Sequence, residues 1–317
     1  MSPARLLGLL ALFALAALLL ALDWGSHPDG LRQWLDGDPL ARTLVLELRL
    51  PRALGAFAVG GLLALAGVVM QVLLRNPLGD PYVLGVSGGA GLGALLALWW
   101  ALPAAWTAAA ACAGALVSML LVFALAARGG WGATRLLLTG VILASGWTAL
   151  LTLVLALAPA ARLPGMLFWL MGDLSDPGDT GPAWGVLLGG LALALPLARP
   201  LDLLLRGEAQ AAVLGVDVSR LHRGLFLLGS LLTAAAVTQA GGIGFVGLVV
   251  PHLARLAGAT AHRLLIPAAV LLGGGLLVLA DTLARTLLAP RQLPVGVITA
   301  GLGVPLFLWL LNRRPRP

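Results

Sequence analysis

From Val83 to Ala127 the chain runs for 45 residues without a charged side chain. A spanning helix needs about 20 apolar residues and no fewer than about 17, so this run holds two, with Pro103 marking the turn between them. Seven further uncharged windows follow the same pattern: Leu6 to Leu22, Ala53 to Leu74, Leu136 to Ala161, Thr180 to Ala198, Gly224 to Ala254, Leu264 to Ala280 and Gln292 to Asn312. They are rich in Leu, Ala, Val and Gly and lack the roughly ten-residue alternation of a membrane barrel. Charged residues make up 10% of the chain, against about 25% in a soluble domain. The expected class is all-α, a polytopic membrane protein with residues 1–317 as a single transmembrane domain.

The window from Gly224 to Ala254 is long for one span and short for two, with Gly241, Gly242 and Gly244 offering a break. The positive-inside rule separates the two counts, because each added span flips the side of every later arginine. Ten spans with a cytoplasmic N-terminus put 13 arginines inside (5, 75, 128, 135, 199, 206, 220, 223, 255, 263, 313, 314, 316) and 7 outside. Nine spans give 10 and 10. Ten spans are therefore expected, with both termini cytoplasmic and the first helix retained rather than cleaved as a signal. The basic residues, all arginine, give a net charge of +7 but form no block and do not alternate with aromatics, so a nucleic-acid partner is not expected. Charges that hold loops against membrane lipid account for them. Cys112 is the single cysteine and forms no intrachain disulfide.

Three polar stretches interrupt the apolar runs. Arg75 to Gly91 carries Pro77, Pro81 and a series of glycines, a pattern for turns followed by close helix packing. Arg49-Leu50-Pro51-Arg52 sets two positive charges at an outer boundary, against the charge bias. They fit either snorkelling to lipid phosphate or reception of an acidic partner. The longest cytoplasmic loop, about 199–223, contains Arg206, Gly207, Glu208, Ala209, Ala211, Ala212 and Gly215, helix formers between two glycines. A short helix along the membrane surface is expected there, as a passive anchor or a docking element.

In this order the motifs resemble the FecCD family, permease subunits of binding-protein-dependent ABC importers for ferric siderophores, haem and cobalamin. The matching segments are R-L-P-R at Arg49 to Arg52, R-N-P-L-G-D-P at Arg75 to Pro81, L-G-V-S-G-G-A at Leu84 to Ala90, and G-F-V-G-L-V-V-P-H-L-A-R at Gly244 to Arg255. Further matches are L-L-A-D-T-L-A-R, read loosely, at Leu276 to Arg285 and L-P-V-G-V-I-T-A-G-L-G-V-P-L-F at Leu293 to Phe307. The resemblance implies the cobalamin/iron-chelate permease fold and a homodimer in the bacterial inner membrane. It also implies two cytoplasmic ATPase subunits on the loop holding Glu208 to Gly215, and a soluble extracytoplasmic binding protein whose acidic residues meet Arg49, Arg52 and Arg285. It places the fifth helix, roughly Leu136 to Leu157, along the pathway, with Thr139, Ser145 and Thr148 as candidate lining residues. Ion-coupled secondary transport of a small solute is the rival reading. It needs ionisable groups within the spans, and Asp281 is the sole candidate, expected to pair with Arg285 one turn on.

An enzymatic role is not expected. His27, His222, His252 and His262 lack H-E-x-x-H spacing and predict no metal site, and His252 reads as a structural polar group. The chain has no phosphate-binding loop of the G-x-x-x-x-G-K-[ST] type, so ATP and magnesium are expected on a partner ATPase and no cofactor on this chain. Met70, Met119, Met166 and Met171 read as helix packing rather than as ligands to haem. Asp173, Asp176 and Asp179 read as loop residues more readily than as docking groups.

Overall fold

The computed structural model describes residues 2–25, 30–127, 132–176 and 178–312. Arg128, Arg313, Arg314, Arg316 and His27 from the sequence readings lie outside the described residues. Among the described residues there are helices and no strand. In chain order they are α1 (Pro3–Asp23), α2 (Gly30–Leu35), α3 (Pro39–Thr43), α4 (Leu50–Leu73), α5 (Val86–Trp99), α6 (Ala104–Ala127), α7 (Ala133–Leu157) and α8 (Leu163–Leu170). They continue with α9 (Gly181–Ala194), α10 (Ala198–Leu205), α11 (Glu208–Val213), α12 (Val218–Ala240), α13 (Val246–Leu256), α14 (His262–Thr286) and α15 (Val295–Asn312). A π-helical stretch, Leu44–Arg49, runs α3 into α4, and a 3₁₀ turn, Pro81–Leu84, precedes α5.

Six helical runs among the described residues are long and apolar enough to cross a membrane: α1, Pro39–Leu73, α6, α7, α12 and α14. A seventh is broken, α9 and α10 bending by 65°. Val86–Trp99, Val246–Leu256 and Val295–Trp309 are apolar but shorter than the crossing length. Six full-length crossings stand where ten were expected, because the irregular segments take residues out of regular helix. Gly241 to Phe245 does so inside one apolar window, with left-handed backbone at Phe245 (φ 70°) and φ 66° at Gly241.

Every residue of α4 from Gly55 to Leu73 is buried, enclosed by α14, α12, α13 and α9. Lipid tails are as apolar as leucine, so packing within a membrane rests on close approach of backbones rather than on removal of apolar surface from water. The sequence supplies small residues where α4 meets its neighbours. A Cβ on Gly67 would overlap the carbonyl oxygen of Gly247 in α13, and one on Gly60 that of Gly273 in α14. Met70 fills the space left by Gly229 in α12, the packing role expected of it. α1 lies against α14, and α5, α6 and α7 form a second group joined to the core through α12. The Gly85 to Gly91 stretch serves close packing, Gly89 meeting the backbone of Gly114 in α6.

Candidate functional site

Arg49, Arg52 and Arg285 come together around one hollow of about 610 Å³, which Glu47, Asp176 and Gln292 also line. All three arginines are more than nine-tenths buried. Arg49 Nη1 donates to the carbonyls of Leu22 (2.8 Å) and Asp23 (2.7 Å), and Arg285 Nη2 donates to that of Ala21. The carbonyls at a helix C-terminus have no partner within the helix and carry its negative dipole end, so two cations close the end of α1. Arg52 grips Asp281 in a two-pronged pair, Nε to Oδ2 and Nη2 to Oδ1 both at 2.8 Å, and its Nη1 reaches Gln292 Oε1 at 3.1 Å. Asp281 therefore pairs across helices with Arg52 rather than along α14 with Arg285. Both carboxylate oxygens match the planar guanidinium fork in the cross-helix geometry.

At the other end of the bundle, α11 is bracketed by Gly207 (φ 122°) and Gly215 (φ 85°), conformations that L side chains rarely adopt. Ala211 is its buried foot, whereas Arg206, Ala209 and Ala212 are exposed, and so are Val213 (87%) and Leu214 (61%). Glu208 lies 3.6 Å from Arg75 in the loop after α4. Behind α11, Asp202 of α10 accepts from the His262 backbone N–H (3.1 Å) and meets the ring Nδ1 (2.6 Å), fastening α10 to the start of α14. Gln71 links α4 to α13, donating to the Leu248 carbonyl (3.2 Å) and accepting from Arg255 (2.7 Å).

The third region is α7, of which 11% is buried along its most apolar stretch. Ser145, Thr148 and Thr152 donate to carbonyls four residues back. That bond satisfies a hydroxyl without a partner helix. Val141, Ser145, Thr148 and Thr152 fall along one edge of α7, and Val141, Ser145 and Thr148 with Val83 and Ala144 border a hollow of about 390 Å³. Thr139 stands about 120° around the helix from Ser145 at 100° per residue, so it is not part of that edge. His252 is half-buried in α13. Asp173, Asp176 and Asp179 each accept from a backbone N–H two residues on, as loop-forming aspartates do, and Asp176 also borders the arginine hollow.

The family model of the FecCD transport family matches residues 9–313. The chain belongs to the FecCD transport family. Among curated relatives, the cobalamin import system permease protein BtuC of Halobacterium salinarum is 42% identical over 279 residues, 86% of this chain and 74% of that one. The vitamin B12 import system permease protein BtuC of Shigella boydii is 38% identical over 318 residues, 97% and 94%. The uncharacterised ABC transporter permease protein YvrB of Bacillus subtilis is 40% identical over 296 residues, 88% and 81%. A solved inward-facing metal-chelate type ABC transporter superposes with a TM-score of 0.87 at 30% identity, covering 99% of this chain and 100% of that one. PsaBC of Streptococcus pneumoniae shares the fold, with a TM-score of 0.59 at 18% identity over 90% and 95%. The chain is thus an ABC permease of this transport family, a membrane protein and a transport component.

Reading the sequence missed Gln292 beside Arg52, the Gln71–Arg255 link and the Arg75–Glu208 pair. Only the first had a local signal, a polar residue opening an otherwise apolar window. The others join positions more than 130 residues apart.

Proposed function

We propose that two copies of this chain form the membrane channel of an ATP-driven importer in the bacterial inner membrane, bringing a metal chelate into the cytoplasm. Cobalamin is the first cargo to test, because relatives matched over most of this chain carry that name. The observation that carries the reading is α11, a helix of six residues fixed at both ends by positive-φ glycines and presenting Val213 and Leu214 to the outside. So much exposed apolar surface on so small an element fits a groove in another protein, here an ATPase that supplies nucleotide and magnesium. Counting the broken pair and the three shorter apolar helices as embedded gives ten segments among the described residues. An even number sets both termini on one side, and the arginine bias makes that side, with the 199–223 loop, the cytoplasmic one; residues 1–317 are then read as one transmembrane domain.

On the opposite face, Arg49, Arg52 and Arg285 receive acidic side chains of a binding protein. Their guanidinium groups already hold α1 and Asp281, so the acids reach into the hollow rather than meet free surface charges. The buried Nε of Arg285, without an acceptor among the described residues, is a donor available there. The hydroxyl edge of α7 at Ser145 and Thr148 faces the pathway, closed by the second copy, with Thr139 set to one side. Asp281 has both carboxylate oxygens engaged by Arg52, which weighs against the ion-coupled alternative.

The test is reconstitution of the permease with its ATPase and binding protein in vesicles. Cyanocobalamin, a ferric siderophore and haem are each offered with ATP, or with an imposed proton or sodium gradient. Expected is ATP-dependent uptake of cobalamin with stimulated hydrolysis. Uptake of another chelate would move the cargo assignment, and uptake driven by an ion gradient alone would overturn the importer.

A further inference from the structure

We propose that the segment from Arg75 to Gly85 carries movement of α11 to α7, and that Trp147, with Ser118, is the positioning residue that receives it. The proposal rests on the reading of α11 as the ATPase-docking helix and of α7 as pathway wall.

The segment begins at the ion pair of Arg75 with Glu208, the first residue of α11. It is braced along its length: Asn76 Oδ1 accepts from Leu78 N (2.9 Å), and Asp80 Oδ1 accepts from Tyr82 N (2.8 Å), starting the 3₁₀ turn. The Tyr82 hydroxyl accepts from the backbone N–H of Ile243 (2.9 Å), so the turn is also fixed to the break between α12 and α13. Such a strip transmits a push, whereas a slack loop absorbs it.

It ends at Gly85, in left-handed conformation at φ 75°. The buried Ser118 of α6 donates to the Gly85 carbonyl at 2.9 Å, and the Trp147 indole N–H of α7 donates to Ser118 Oγ at 2.9 Å. Two close approaches back this relay. A Cβ on Gly88 would stand 2.7 Å from Trp147 Cβ, and one on Gly140 would overlap the Val83 carbonyl oxygen. Trp147 and Gly140 thus seat one side of α7 on the end of the strip, while Ser145 and Thr148 border the hollow beside it. Within its own chain α7 is held at few points, and these set its rotation against the rest of the fold. The relay sets which edge of α7 the pathway sees.

The test uses the complete transporter in vesicles, carrying Cys112→Ala and Ser145→Cys. The rate of labelling by a membrane-impermeant maleimide is measured with and without a non-hydrolysable ATP analogue. In this parent the analogue is expected to change the rate by about fivefold or more. In Trp147→Phe and in Ser118→Ala, which removes one oxygen and leaves little risk to folding, the change is expected to fall below about twofold. The two together should add nothing further. Arg75→Glu and Glu208→Arg should each reduce the response and their combination restore it, a rescue that loss of fold cannot produce. An intact response in both Trp147→Phe and Ser118→Ala would overturn the relay alone. No response in the parent would overturn the docking and pathway reading, and the relay with it.

Discussion

α4 and α7 are 24 and 25 residues long with nearly equal mean hydropathies, 2.2 for the span containing α4 and 2.1 for α7, yet their most apolar stretches are 94% and 11% buried. Hydropathy therefore marks what enters the membrane and is silent on what each helix touches. The difference lies in the small and polar residues. In α4, Gly60 and Gly67 meet the backbones of α14 and α13, so the helix can sit among neighbours on all sides. In α7, Gly146 has nothing within 4 Å of a built Cβ, and the hydroxyls of Ser145, Thr148 and Thr152 bond back to their own helix. One helix is made to be enclosed by its own chain, the other to be left open for something else.

The largest effect that would break this contrast is at Gly67. Gly67→Val drives a branched side chain into the Gly247 carbonyl and should prevent recovery of folded permease, whereas Gly146→Val should leave the thermal midpoint in detergent within about 2 °C. Equal tolerance at the two sites would remove the distinction. Next comes Asp281→Ala, which strands the buried Arg52 guanidinium and should cost about 3–5 kcal/mol of stability, read as a fall in that midpoint. Val213→Asp should weaken association with the ATPase by about tenfold or more, measured by surface binding, with the permease midpoint unmoved because that side chain is 87% exposed.

The smallest effect concerns Asp80, whose carboxyl burial pushes above the usual range, the Tyr82 backbone N–H partly opposing the shift. A raised folded-state pKa means that the charged form destabilises the fold at high pH and that the penalty is relieved as pH falls through that pKa. Asp80→Asn keeps an acceptor for Tyr82 N and should stabilise by less than about 1 kcal/mol at pH 8, the gain vanishing near pH 4. A gain that grows on acidification would contradict this sign.

Much of the fold was legible because charge and apolar length dominate in a membrane. The break at Gly241 to Phe245, the turn after Trp99 and the short helix at Glu208 all fall where glycine, proline and charge placed them. The crossing count was less so, since a window of sufficient length does not say how many of its residues stay in regular helix. For the candidate site, the arginines were visible as residues that defy the charge bias, but their partners were not. Asp281 has Arg285 one turn away on its own helix, and only the packing of α4 on α14 brings Arg52 to it. The Trp147–Ser118 bond likewise depends on the proximity of α6 and α7, which hydropathy does not encode.

The most direct test of the open side of α7 is a nitroxide scan in the complete transporter, reading water and oxygen accessibility at positions 141, 145, 148 and 152 against 142, 146, 150 and 153. At 100° per residue these sets mark two edges of the exposed surface of α7. The expected result is water access along the first edge and oxygen access, the signature of lipid, along the second. Oxygen access along both edges would contradict a pathway on α7 and leave its hydroxyls as lipid-facing residues that satisfy themselves.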